Sequence, residues 1–80
     1  MKLHQLKIGQ SAKIVAINAS PALRARLFSM GLVPETVVKL LTVAPPGEPL
    51  EFEVRGTRVS LRRDEAKTIL AEPVKENKNG

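Results

Sequence analysis

"LEFEVRGTRVSLR", residues 50 to 62, changes hydropathy at every second position on both sides of a glycine. Leu50, Phe52 and Val54 alternate with Glu51 and Glu53, and beyond Gly56 the pattern resumes with Val59 and Leu61 alternating with Arg58 and Ser60. A period of two marks strands with one buried face, so the segment reads as a β-hairpin with Phe52 turned into the core. With Gly56 and Thr57 as the central residues of a type II′ turn, glycine first, Val54 falls opposite Val59, Phe52 opposite Leu61 and Glu51 opposite Arg62.

Working outward, the period stays two in "TVVKLLTVA", residues 36 to 44, where Val37, Leu41 and Val43 share one face and Val38 and Leu40 the other. "PPGEP", residues 45 to 49, carries three prolines and a glycine and must be the loop that joins this strand to the hairpin. "KIVAIN", residues 13 to 18, is rich in β-branched residues and forms a first strand. Ser20 and Pro21 then supply an N-cap and a first helical position. Leu23, Leu27 and Met30 line one stripe of the short helix that follows, Gly31 stops it and folds Leu32 back against Leu27, and Pro34 forbids continuation. Past the hairpin, "RRDEAKTIL" begins a helical turn at Asp64 with Ala66 and Ile69 inward, and "AEPV" adds a brief edge strand.

Eighty residues make one domain, and a chain of this size buries only about 60% of its unfolded surface. About five short strands and one helix suit a mainly β, SH3-like barrel over residues 1 to 74, closed to protect its edges, with residues 75 to 80 a disordered tail. Hydrophobic residues make up 42% of the chain, yet no apolar run approaches the roughly 20 residues of a membrane helix. "MKLHQLKIGQ" has no secretory character, so the expected compartment is the cytoplasm.

The net charge of +5 is lopsided. Lys2, Lys7, Lys13, Arg24 and Arg26 precede Glu35 with no acidic residue among them, whereas the remainder sums to zero. This basic first part is either a solvated surface or a docking face for an acidic partner. A basic nucleic-acid or ribosome-associated module is the rival reading, but the chain has neither Trp nor Tyr for stacking, and Phe52 points inward. With no cysteine, a lone His4 in a loose terminus and no glycine-rich phosphate loop, neither an enzyme nor a cofactor is expected. Metal binding is expected to be weak and adventitious at most, with no high-affinity iron(II) site.

"RLFSMGLVP", the Pro/Gly-bearing linker and "VRGTRVSLRRDEA" together resemble the FeoA proteins, small cytoplasmic accessories of bacterial ferrous iron uptake. The resemblance spans Leu3 to Val74 and rests on Leu27, Met30, Gly31, Leu32 and Pro34, then on Gly56, Leu61, Arg62 and Ala66. Glu35 departs from it, because the family has glycine after this proline; its Cβ disfavours a positive φ, so a different turn is expected there. The resemblance implies an SH3-like barrel that assists the FeoB-type ferrous iron transporter by contacting its cytoplasmic GTP-binding domain or its membrane portion. Such a protein meets the membrane only through its partner, binds no nucleic acid and self-associates weakly if at all. The residues expected to dock are Arg24, Arg26, Phe28, Leu32 and Pro34, an apolar anchor beside two arginines on a rigid helix. Reversing Arg24 and Arg26 to Glu is expected to leave the melting curve nearly unchanged.

Overall fold

The computed structural model describes residues 1–75. A 3₁₀ turn at Leu3–Gln5 leads to β1 (Ser11–Ile17), α1 (Pro21–Ser29), β2 (Val37–Val43), β3 (Leu50–Val54), β4 (Thr57–Leu61), α2 (Arg63–Ala66) and β5 (Ile69–Pro73). The strands form one antiparallel sheet in the order β4-β3-β2-β1-β5. The expected strand count, helix and helical turn are all present. The tail expected to be disordered lies, from residue 76 on, outside the described residues.

The sheet curls around Phe52, Ile14, Leu40, Leu61 and Ile69, each no more than 1% exposed. Leu27 and Leu32 close one side of this core, and Leu3 and Ala66 join it from the 3₁₀ turn and α2. Among the described residues no ladder joins β4 to β5, and α2 carries the chain between them.

Two bulges modify the alternation read from sequence. The β2–β3 register shifts between Leu40 and Thr42, so Leu41 is the extra residue and Val43 falls opposite buried Leu50. Val43 therefore packs against the core with Val38 and Leu40, not on the opposite face with Val37 as its spacing suggests. In β1 the register with β5 shifts between Ile14 and Ala16; Ile14 and Ile17 both point inward, which leaves Val15 45% exposed. A bulge inserts one residue and so resets a period of two.

The hairpin register also differs from the expected one. Val54 pairs with Thr57, Phe52 with Val59 and Leu50 with Leu61, so the turn residues are Arg55 and Gly56. Their φ values of 52° and 79° are both positive, as a type I′ turn requires and a II′ turn does not. The shift of two positions preserves which faces are buried. It replaces the expected Glu51 and Arg62 pair with a diagonal ion pair between Glu51 and Arg58 at 3.1 Å.

The amino-terminal segment is not loose. Met1 exchanges main-chain bonds with Ala71 at 2.9 and 2.7 Å, and Lys2 bridges to Leu70. These contacts cover the outer edge of β5 and hold His4 against the body, partly buried in the 3₁₀ turn.

Candidate functional site

Helix α1 is fixed at both ends. The Ser20 hydroxyl accepts from the Leu23 amide at 3.2 Å, and Pro21 occupies the first helical position. At the other end Leu32 N–H donates to Leu27 O at 3.0 Å and Gly31 N–H to Phe28 O at 2.9 Å, with Gly31 at φ +88°. This is a Schellman stop, in which the left-handed glycine turns Leu32 back onto Leu27.

The five residues expected to dock divide into three groups. Phe28 is 40% exposed, with the Arg24 guanidinium carbon 5.8 Å from its ring centroid, and Pro34 is exposed. These two apolar residues are displayed. Leu32 is not: it is fully buried beside Leu27, so its place is in the core and it is removed from the docking set. Arg24 and Arg26 are exposed but also tie the helix down. Arg24 donates to Ile17 O at 2.8 Å, across the β1–α1 connection, and Arg26 pairs with Glu65 of α2.

Glu65 serves two partners, because its other oxygen accepts from the Arg62 amide at 2.9 Å at the start of α2. Burial alone would raise its pKa, but the Arg62 amide, the Arg26 hydrogen bond and the two guanidinium charges outweigh it and lower the carboxyl below its ordinary value. Reversing Arg26 to Glu would set a carboxylate against this one. The double reversal of Arg24 and Arg26 is therefore not the fold-neutral change that the sequence suggests.

Glu35 also corrects an expectation. It adopts φ +80°, the left-handed conformation that glycine favours, so its Cβ does not keep the backbone after Pro34 out of the positive-φ region. Its amide donates to Ile14 O at 2.7 Å and its carboxylate lies 3.6 Å from Lys13 Nζ. Beside this turn Val37 is 47% and Val15 45% exposed. Sequence reasoning missed both, although of two adjacent valines in a strand, Val37 and Val38, one must face outward. The Arg55 guanidinium reaches the Thr36 hydroxyl at 3.4 Å from the hairpin turn, which brings a second left-handed residue to this end of the barrel.

His4 offers no ligand set. Its pKa is lowered, first by burial and then by the charges of Lys67, Arg63 and Lys2, and its Nδ1 is buried without a hydrogen-bond partner. Among the described residues no group of three or more His, Cys, Asp or Glu side chains converges, and none of their helices is long and apolar enough to cross a membrane. What the structure displays is Phe28 on α1, Pro34 on its exit loop, and Val15 and Val37 on the outer side of β1 and β2.

A FeoA domain model matches residues 1–73. The chain belongs to the FeoA family. It is 39% identical over 69 residues to a putative Fe(2+) transport protein A of Campylobacter jejuni, covering 86% of this chain and 93% of that protein. It is also 31% identical over 77 residues to a Fe(2+) transport protein A/FeoB transporter fusion protein of Porphyromonas gingivalis, of which it spans 96% of its own length but only 9% of the fusion's. Among solved structures, the FeoA of Stenotrophomonas maltophilia, described as a procaryotic SH3 domain protein and crystallised with zinc, superposes with a TM-score of 0.80. That match is 33% identical and covers 90% of this chain and 89% of the other. The mainly β architecture is thus the SH3-like fold of FeoA proteins, a family of ferrous iron transport.

Proposed function

We propose that this FeoA protein is a non-catalytic, cytoplasmic accessory of ferrous iron uptake that docks on the cytoplasmic portion of a FeoB-type transporter, which includes its GTP-binding domain. The observation that carries the reading is the fusion in Porphyromonas gingivalis, where a related domain and a FeoB transporter are one polypeptide. Covalent linkage makes sense for two domains that act at one place, because it raises their effective concentration.

The docking face in this reading is α1 and its exit loop. Phe28 is the anchor, the Arg24 guanidinium lies over its ring, and Pro34 on the exit loop is the second exposed apolar residue. A helix capped at both ends loses little freedom on binding, which favours an interface built on it. The nucleic-acid alternative draws no support, since Phe52 is fully buried and Phe28 is the one aromatic ring left on the surface.

Phe28→Asp tests this reading without touching the core stripe. It is expected to leave the thermal midpoint near that of the unmodified protein while abolishing capture of the transporter's cytoplasmic domain, with and without guanine nucleotide, and reducing iron uptake in cells. Capture and uptake at the unmodified level would move the docking face elsewhere, most directly to the loop from Pro45 to Pro49.

A further inference from the structure

One side of the sheet has unused main-chain groups. The Leu40 N–H donates to Gln10 O at 3.1 Å and its carbonyl accepts from Gly9 N at 2.7 Å, so Leu40 directs both groups toward the β1 side. In antiparallel pairs, hydrogen-bonded and non-bonded positions alternate. Phe52, paired with Leu40, therefore bonds to β4, and its partner Val59 bonds back to β3. Arg58 and Ser60 are left directing their N–H and C=O groups away from the sheet. Both are exposed, and no other hydrogen bond among the described residues reaches these groups. The opposite edge differs, because Met1 and Lys2 cover β5.

The charged residues of the open edge itself, from the turn to the residue after β4, share one sign. Arg55 in the turn, Arg58 in mid-strand and Arg62 beyond its end are all exposed. The acidic Glu51 and Glu53 stand one strand further in, and Glu51 is already bound to Arg58 at 3.1 Å. A second copy paired edge to edge about Val59 would put the two Arg58 side chains diagonally on one face. Like charges at that spacing oppose such a dimer. An acidic strand in the same place would meet cations instead. Its inward side chains would lie alongside Val59, which at 9% is the most exposed of the buried core residues.

We infer that the β4 edge accepts an extended segment of a partner protein by strand addition, a segment that alternates acidic residues on the outer face with apolar residues on the inner one. Main-chain bonds to Arg58 and Ser60 hold the segment, and Arg55, Arg58 and Arg62 select its charge. Two strands, β3 and β2, separate this edge from β1, and it does not include Phe28, so its failure would leave the transporter-docking reading standing.

Amide hydrogen exchange on the full chain, with and without an end-blocked peptide of alternating Glu and Val, tests the inference. Saturating peptide is expected to slow exchange at Arg58 and Ser60 by about tenfold or more and to leave Val59, already bonded to β3, unchanged. A Lys and Val peptide should have no such effect. Ser60→Pro removes one outward donor while sparing the ladder to β3, and should abolish binding with the melting curve retained. Arg58→Gln keeps every main-chain group and should weaken binding while reducing its salt dependence, which keeps the test open should Ser60→Pro unfold. Equal slowing by the Lys peptide, or unchanged exchange at Arg58 and Ser60, would overturn the inference. So would slowing that grows with protein concentration alone, which would assign the edge to a second copy.

Discussion

Glu35 occupies a left-handed conformation that costs a residue with a Cβ about 1–2 kcal/mol. The hydrogen bonds around it, Glu35 N–H to Ile14 O and Ile14 N–H to Thr36 O, leave it little choice. Glu35→Gly would remove that cost, give up an exposed ion pair of small worth, and add unfolded-state freedom of about 0.4–1 kcal/mol. The expected result is a net gain of about 0.5 kcal/mol in urea unfolding; a loss of stability would show that the carboxylate's contact with Lys13 matters more than its backbone. Phe52 is the opposite case, legible from alternation alone and fully buried. Phe52→Ala should cost about 3–5 kcal/mol, enough in a domain of this size to abolish a cooperative melt. A near-normal melt would remove Phe52 from the core. Leu32 carried its own sequence signal: the same glycine stop that ends α1 drives the following apolar residue onto Leu27, so it could not also be on display.

Among the elements, the strands and α1 were readable because period, caps and proline all pointed one way. Register was not. A glycine flanked by strand residues suits either a II′ turn, where it comes first, or a I′ turn, where it comes second, and the choice falls on I′ only because Arg55 accepts φ 52°. The bulges at Val15 and Leu41 were equally hidden, since an inserted residue leaves no mark in a run of valines and leucines. Turn chemistry gives a direct check. Asparagine tolerates the left-handed region better than arginine, so Arg55→Asn should stabilise the hairpin by about 0.5–1 kcal/mol, offset in part by loss of the long contact to Thr36. Denaturant midpoints decide it, and a destabilised variant would mean that the Arg55 side chain is what holds the turn against β2.

At the scale of the molecule, the charge asymmetry along the chain is partly cancelled in space. Lys13 meets Glu35 and Arg26 meets Glu65, so two of the five cations in the first part already have partners from the second. Linear charge reads composition, and only folding shows which charges are spent on each other. The SH3-like fold likewise does not bring a function with it. Recognition of proline-rich ligands uses a groove lined with aromatic rings, and here Phe52 is core while Phe28 stands alone at the surface.

The same folded arrangement sets how stability depends on pH. His4 has a lowered pKa, through burial and then the nearby charges of Lys67, Arg63 and Lys2, so the folded protein binds a proton there less readily than the unfolded chain. Stability from this group is complete above the unfolded histidine value of about 6.5 and is lost as pH falls from there through the depressed folded value. Glu65 also has a lowered pKa, which its hydrogen bonds and the two arginines impose against the opposing effect of burial. Its contribution is complete above the ordinary glutamate range and is lost as pH falls through the folded value, below the histidine window. Acidification should therefore destabilise the protein in two stages, the first from His4 and the second from Glu65 and the other carboxylates. His4→Gln, which cannot protonate, should flatten the first stage and leave the second. Urea midpoints measured in steps from pH 8 to 3 distinguish the outcomes, and a His4→Gln profile that still declines between about pH 6.5 and the carboxylate range would mean that the upper stage has another source.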